Sequence, residues 1–169
     1  MTIFPFVALA PLLLLAAALC FIARPGRRPG RLLIMAEAAP VAAFALGVIS
    51  LVQVRITGPQ AFSLGDAAIA RLDAISVTLV LLVSFVGWIV VRYARRYLDG
   101  EAREGRFHGL TLAAIAFVLV LAQGASLPVL IASFMAVGLV LRQLLLFYSD
   151  RPEARRAAAK FTRVWGAGD

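Results

Sequence analysis

Residues 109–141 read GLTLAAIAFVLVLAQGASLPVLIASFMAVGLVL and contain no charged side chain. A single helix of this length would extend for about 50 Å, well beyond the roughly 30 Å hydrocarbon layer of a bilayer. Residues that favour turns lie near the middle of the stretch, namely Gln123, Gly124, Ala125, Ser126 and Pro128. The stretch therefore predicts a transmembrane hairpin, with arms at residues 109–122 and 127–148.

The composition of the whole chain is that of a membrane protein. Of its 169 residues, 62% are hydrophobic, against about 45–50% in soluble domains. A chain of this length accommodates about five transmembrane helices and no soluble catalytic domain. We predict an all-α membrane protein with about five transmembrane helices and a short amphipathic cytoplasmic helix.

The side chains that could carry chemistry form no catalytic or metal-binding pattern. Cys20 and His108 are the one cysteine and the one histidine of the chain, so a disulfide framework and a Cys/His metal cluster are excluded. The sequence has no HExxH motif and no Ser-His-Asp set. We expect neither catalytic residues nor a cofactor in this chain.

Three further apolar segments, at residues 3–23, 32–54 and 74–91, are long enough to span a bilayer. A signal peptide is the alternative for the first segment. However, no Lys or Arg precedes it and the basic cluster follows it, so we interpret it as a retained helix. The polar connector at residues 55–71, with turn residues at Gly65 and Asp66, predicts a small β-hairpin or an irregular cap.

The tail at residues 150–169, DRPEARRAAAKFTRVWGAGD, begins like a helix, because Pro152 suits the first helical position. Alanines lie near one face and basic side chains near the other, which predicts an amphipathic helix on the membrane surface. The start of a sixth span is the alternative, and the sequence leaves both open. We divide the chain into residues 1–71, with two helices and the connector, and residues 72–169, with three helices and the tail.

Basic side chains are distributed unequally between the two sides of the predicted bundle. Of seventeen Lys and Arg residues, fourteen fall in the connections after the first and third spans and in the tail, against two after the second span. By the positive-inside rule, the amino terminus is outside and the tail is cytoplasmic. Because the arginines separate apolar segments, the net charge of +8 indicates membrane lipid as a partner and no nucleic acid.

Glu37 and Arg142 are the acid and the base that lie well inside predicted spans. Each lies six residues from the cytoplasmic end of its span, at a depth of about 9 Å. An unpaired charge at the membrane centre costs at least about 2.5–3.5 kcal/mol, so we predict that the two side chains pair or face a wet interior, as candidates for a proton path. In the alternative, Arg142 reaches the headgroups on its long stem, and Glu37 is neutral or pairs with Arg31.

From residue 72 onward, five motifs occur in an order that resembles the amino-terminal region of the large antiporter-like subunits of respiratory complex I. They are LDAIS at 72–76, VGW at 86–88, YARRYL at 93–98, RPEA at 151–154 and AAKF at 158–161. The resemblance implies a proton-translocating subunit of an NADH-quinone oxidoreductase, or a cation/proton antiporter, that assembles with other complex subunits.

One branch of that family is more similar. The stretches RYARRYLDGE at 92–101, LVLRQLLLFY at 139–148 and DRPEA at 150–154 resemble DabB, the membrane subunit of an inorganic-carbon accumulating complex. The resemblance implies a transporter-type subunit of a bacterial inner membrane, not an enzyme, that drives hydration of CO2 to bicarbonate on a partner. That partner, DabA, resembles a zinc carbonic anhydrase, so zinc is expected only in the partner.

Met135 departs from the complex I pattern. Those subunits carry G-W-E-L-V-G in the second hairpin arm, and that glutamate belongs to their proton path, whereas this chain reads SFMAVG at 133–138. A methionine cannot exchange a proton, which favours the DabB-like branch. The other candidates at family positions are Lys160 and the pair Asp73 and Ser76, which also form a helix-capping pattern.

The family resemblance also implies that the ion path lies elsewhere. Family members continue for several hundred residues beyond the region that this chain resembles, and that part holds their broken helices and lysines. We therefore expect a truncated or split subunit that works with a companion chain carrying the remaining antiporter helices. The alternative is a non-conducting membrane scaffold that docks a partner.

Overall fold

The computed structural model describes residues 6–24, 26, 32–64, 67–148 and 151–168. A 3-10 turn at Phe6–Ala8 precedes the first helix. The other elements, in chain order, are α1 (Leu9–Ile22), α2 (Leu32–Thr57), β1 (Gln60–Leu64), β2 (Ala67–Leu72), α3 (Ala74–Tyr97), α4 (Glu104–Gln123), α5 (Leu127–Leu145) and α6 (Pro152–Gly168). Helices α2 to α5 are long and apolar enough to cross a membrane. The predicted all-α membrane class is confirmed.

The first apolar segment is shorter as a helix than the sequence suggests. α1 has 14 residues, about 21 Å of helix, whereas a transmembrane helix needs about 20 residues. The described part of the chain thus holds four helices of spanning length and one shorter apolar helix. Residues 3–5 of the predicted first span lie outside the described residues.

α4 is the central helix of the bundle. It packs against α1, α3 and α5, and its Leu112 and Leu119 side chains are completely buried. At Gly109 the helix lies close to α1, because a Cβ there would lie 3.1 Å from the Phe21 Cβ and 3.2 Å from the Ala18 carbonyl oxygen. Small residues at such crossings let membrane helices pack closely.

α2 and α3 form an antiparallel pair. The Phe44 and Phe85 rings lie 6.2 Å apart, and a Cβ added at Gly47 would lie 2.9 Å from a Leu81 methyl group. α2 continues through Pro40 without ending, which transmembrane helices tolerate. The two helices therefore lie side by side over most of their length.

The connection between α2 and α3 is a β-hairpin, as predicted. β1 and β2 pair in antiparallel register with one irregularity. β2 also contacts the turn between α4 and α5: the Ala125 N–H donates to the Ile69 carbonyl oxygen at 3.2 Å, and Ala70 forms a bridge with Gly124. The predicted hairpin turn at Gly65 and Asp66 lies outside the described residues.

The bundle has two distinct ends, the hairpin end and the arginine end. The hairpin end holds β1, β2 and the turn between α4 and α5. The arginine end holds the start of α4, the end of α3 and the connection between them, with Arg92, Arg95, Arg96, Arg103 and Arg106. At this end α3 extends six residues past residue 91, and α4 begins five residues before residue 109. An apolar run marks the lipid-facing part of a helix, whereas helical hydrogen bonds continue into polar sequence.

α6 turns back along α5. Trp165 stacks on Phe134 with 4.3 Å between ring centroids, and its indole fills the space beside Gly138. Phe134 precedes the end of α5 by 11 residues, so α6 extends about 16 Å back toward the hairpin end. The tail helix is amphipathic as predicted, with Ala158 buried and Lys160 exposed, whereas its location on the membrane surface stays a prediction.

Candidate functional site

Glu37 forms an ion pair with Arg95, a residue of the neighbouring helix. Arg95 Nη1 donates to Glu37 Oε1 at 3.1 Å. The side chains are 27% exposed for Glu37 and 40% exposed for Arg95. Because α2 and α3 are antiparallel, the second turn of α2 meets the last turns of α3, and this brings the two charges together.

The pair lies in a polar groove at the arginine end. The groove has a volume of about 660 Å³ and is lined by Leu33, Glu37, Arg92, Arg95, Arg96 and Asp99. This lining, called here the Glu37–Arg95 groove, carries three guanidinium and two carboxyl groups. Charged walls of this kind hold water and attract ions. The groove is therefore a polar, charged surface at the arginine end of the bundle.

The predicted pairing of Glu37 with Arg142 is wrong. Arg142 lies on α5, whose neighbours are α4 and α6, whereas α2 packs against α1 and α3. α5 ends at Leu145, so Arg142 is three residues, about 4.5 Å, from its end, and it is exposed. This position agrees with the alternative that Arg142 reaches toward the headgroups. Arg31, the other alternative partner of Glu37, lies outside the described residues.

Two polar side chains at the arginine end are fully buried. They are Glu104 and His108, which lie one helical turn apart on α4. Glu104 Oε2 accepts the Gly100 N–H at 3.3 Å. The His108 ring lies 5.8 Å from the Phe21 ring of α1 and 6.1 Å from the Phe107 ring. Neither ring nitrogen of His108 has a hydrogen-bond partner among the described protein groups.

Asp73 and Ser76 cap α3 at the hairpin end. The Asp73 carboxylate accepts the Ser76 N–H at 2.7 Å, and the Ser76 hydroxyl oxygen accepts the Asp73 N–H at 2.9 Å. The Ser76 N–H bond lowers the pKa of Asp73 below its ordinary 3.8, against a smaller opposing effect of burial, and Arg71 at 3.6 Å contributes in the same direction. The predicted capping pattern is confirmed.

Met135 and Lys160 lie on outward faces of the bundle. Met135 is 48% exposed on α5, on a different face from the buried Ser133 and Val137. Lys160 is exposed on α6. The structure therefore does not gather the sequence candidates into one site. It places Glu37 in the groove, Arg142 at the same end on another helix, and the capping pair at the opposite end.

Sequence reasoning missed Arg95 and the burial of His108. The signal for Arg95 was available, because a short hairpin between two spans makes them neighbours and puts the arginines after the third span beside the start of the second. His108 directly precedes an apolar run, and this position was a weaker indication that its side chain is buried. Among the described residues, no group of three or more His, Cys, Asp or Glu side chains is placed to hold a metal ion.

Comparison with protein families places these elements in a known group. Residues 68–108 match the family described as NADH-ubiquinone oxidoreductase (complex I), chain 5 N-terminus. The match covers most of β2, all of α3 and the start of α4. It therefore includes the capping pair as well as Arg95 and His108.

Two curated relatives match longer parts of the chain. The probable inorganic carbon transporter subunit DabB2 of Halothiobacillus neapolitanus is 30% identical over 129 residues, which cover 70% of this chain and 23% of the relative. The NADH-quinone oxidoreductase subunit L of Escherichia coli is 34% identical over 98 residues, which cover 58% of this chain and 16% of the relative. The chain thus spans less than a quarter of the length of either relative. The resemblance drawn from the sequence motifs is confirmed: the chain matches the family of the complex I chain 5 N-terminus and is a homologue of DabB-type membrane subunits and of NADH-quinone oxidoreductase subunit L.

Proposed function

We propose that this chain is a membrane subunit, or the amino-terminal part of one, of a cation-coupled inorganic-carbon accumulating complex of the DabA–DabB type. The observation that supports the proposal is the length of sequence over which the chain matches each of the two relatives. Similarity to DabB2 extends over 129 residues, whereas similarity to subunit L extends over 98. The similarity that both relatives have to this chain is explained by a common complex I core. The additional length matched by DabB2 favours the carbon-transporter branch.

Met135 supports this choice. In complex I subunits, the equivalent position of the SFMAVG motif is expected to hold a proton-path glutamate. Here the thioether of Met135 has no proton to exchange, and it is half exposed on the outer face of α5. Any cation coupling therefore uses other groups. On this proposal, Met135→Leu leaves carbon accumulation unchanged.

The proposed partners follow from the resemblance to DabB and from the matched share of the two relatives, 23% and 16% of their length. We propose a companion chain, or continuation, that supplies the remaining antiporter helices, and a DabA-like protein that carries the zinc. We propose that the arginine end faces the cytoplasm in a bacterial inner membrane, and the proposal is supported by the fourteen of seventeen basic residues that fall on that side by sequence. The amino terminus would then lie outside.

The experiment is a growth rescue combined with co-purification. The chain is expressed with a DabA-like protein and the companion helices in a bacterial host that lacks carbonic anhydrase and grows only with added CO2. The proposal expects growth in air and a zinc-containing complex that purifies on a tag fused to this chain. Omitting this chain, while keeping the other two components, is the matched control and is expected to abolish growth in air.

The second candidate is a proton-translocating subunit of an NADH-quinone oxidoreductase. It is favoured by the family match at residues 68–108 and by the 34% identity with subunit L. Co-purification with oxidoreductase subunits, together with NADH-driven proton movement in membrane vesicles, would replace the carbon-transport proposal. Partner binding without growth rescue or proton movement would instead indicate a non-conducting scaffold.

A further inference from the structure

Three arginines lie on the face of α3 that lines the Glu37–Arg95 groove, namely Arg92, Arg95 and Arg96. Their spacing makes their side chains neighbours on the helix surface, where like charges repel one another. Glu37 of α2 offsets one of the three charges through its ion pair with Arg95. Among the described residues, Arg92 and Arg96 have no ion-pair partner. The groove thus offers two guanidinium groups that an anion can neutralise.

The position of these arginines along α3 is that of the lipid headgroups. The apolar run of the helix ends at Val91, and Arg92 is the first charged residue after it. Tyr93 and Tyr97, on the same part of the helix, are exposed and stack with 5.9 Å between ring centroids. Exposed tyrosines beside an apolar span are typical of the membrane–water interface. The groove therefore lies where the phosphates of the bilayer are concentrated.

The groove is built by two helices and has room for a headgroup, with a volume of about 660 Å³. Its α2 side is formed by Leu33 and Glu37, from the first two turns of a helix that begins at Leu32. The positive end of the α2 dipole is therefore at the same end as the arginines. Glu37 holds Arg95 through Nη1 at 3.1 Å, which leaves the other N–H groups of that guanidinium to donate to a ligand. Basic pockets between transmembrane helices bind anionic headgroups in this way.

We propose that the Glu37–Arg95 groove binds the phosphodiester headgroup of an anionic phospholipid. The phosphate oxygens accept N–H bonds from Arg92 and Arg96, because planar guanidinium groups fit phosphate with two parallel hydrogen bonds. Guanidinium groups outnumber carboxyl groups three to two in the lining, which favours an anionic headgroup over a zwitterionic one. The inference goes beyond the cargo and the partner proposed above and depends on neither.

The test uses Trp88 as a reporter, because the Arg92 guanidinium lies 5.6 Å from the centroid of its ring. The chain has two tryptophans, so a Trp165→Phe background leaves Trp88 as the one that fluoresces. The whole chain in detergent micelles is titrated with phosphatidylglycerol that is brominated on its acyl chains and quenches tryptophan on contact. We expect half-maximal quenching at a mole fraction at least about fivefold lower than with brominated phosphatidylcholine. Equal quenching by the two lipids would overturn the proposal.

Variants separate a built site from general attraction to a basic surface. Arg96→Gln removes one guanidinium of the groove, and we expect the mole fraction of phosphatidylglycerol for half-maximal quenching to rise about fivefold. Arg96→Lys keeps the charge and is expected to retain part of the preference. Arg142→Gln is the matched control, because it removes the same charge at the same end of the bundle but lies on α5, outside the groove. An equal effect of Arg96→Gln and Arg142→Gln would overturn the site.

Inorganic phosphate distinguishes a lipid headgroup from a free anion as the ligand. We expect phosphate at about 10 mM to change the quenching by brominated phosphatidylglycerol no more than sodium chloride of the same ionic strength, which screens charges equally. Displacement of the lipid by phosphate and not by chloride would overturn the assignment to a lipid. These measurements use the purified chain alone, so their failure is distinguishable from failure of the growth rescue.

Discussion

Asp73 is an acid in a motif that resembles the antiporter-like family. Replacing it tests whether the side chain has a structural role, as the cap of α3, or a role in transport. In the capping box, Asp73 and Ser76 each satisfy a backbone N–H that the first turn of α3 leaves without a helical partner. Loss of such a cap costs about 1 kcal/mol, and the negative charge at a helix start adds about 0.5 kcal/mol. We therefore expect Asp73→Ala to lower the free energy of unfolding by about 1.5 kcal/mol.

Asp73→Asn is the matched comparison, because asparagine caps as well as aspartate but carries no charge. We expect it to lose only the charge contribution, about 0.5 kcal/mol. The measurement is unfolding of the chain in mixed micelles by increasing amounts of denaturing detergent, followed by circular dichroism. Ser76→Ala, which removes the reciprocal hydroxyl, is expected to fall between the two.

The pH dependence follows from the lowered pKa of Asp73. A carboxyl whose folded-state pKa is depressed stabilises the protein above its unfolded-state pKa of about 3.9, and this stabilisation is lost as the pH falls through the folded-state value. The unmodified chain is therefore compared with Asp73→Asn at neutral pH and below about pH 3.5, where we expect the difference in unfolding free energy to shrink. The reasoning would be refuted if Asp73→Asn destabilised the chain as much as Asp73→Ala at neutral pH.

Two further predictions concern packing and charge. Gly138→Leu displaces the Trp165 indole from α5, because even a Cβ at Gly138 would lie 2.9 Å from Trp165 Cδ1. We expect its fluorescence to shift to longer wavelength and protease cleavage in α6 to accelerate about fivefold. Glu37→Gln and Arg95→Gln are expected to be non-additive by about 0.5–1 kcal/mol in a double-mutant cycle of unfolding free energies. Glu37→Gln combined with Arg142→Gln is expected to add within about 0.5 kcal/mol.

Controls for these two experiments are available in the same chain. A Trp88→Phe background leaves Trp165 as the one tryptophan that fluoresces. Gly166→Ala is the matched change on α6, since a Cβ there meets no atom within 4 Å, and it should leave the spectrum unchanged. A Gly138→Leu spectrum like that of Gly166→Ala would contradict the docking of α6. Additivity of the Glu37 and Arg95 changes would contradict their ion pair.

Local chemistry explains which parts of the fold were predictable. The turn at Gln123 to Pro128, the cap at Asp73 and the start of α6 at Pro152 each depend on residues adjacent in sequence, and the structure has all three. The length of α1 was not predictable in this way. Hydropathy reports which residues avoid water, and it does not report where helical hydrogen bonds begin.

The site was less predictable, because it depends on which helices are neighbours. Counting residues from a helix end gives depth, and by depth alone Glu37 and Arg142 are equivalent. Depth does not give the direction around the helix axis, and the direction of Glu37 is toward α3 and Arg95. The burial of His108 likewise depends on Phe21, which comes from a helix 87 residues earlier in the chain. The acidic and basic residues could be identified from the sequence. Their partners could be identified only from the packing of the helices.

The β-hairpin has a mechanical consequence for the bundle. Through Ile69 and Ala70 it ties the α4–α5 turn to the strand that leads into α3, so these helices are fastened together at one end. Any rocking between them must pivot at that end. A tilt of about 5° over a 20-residue helix, about 30 Å long, moves the opposite end by about 2.6 Å. The largest displacement between α3 and the α4–α5 pair then falls at the arginine end, where the first turns of α4 follow the last turns of α3.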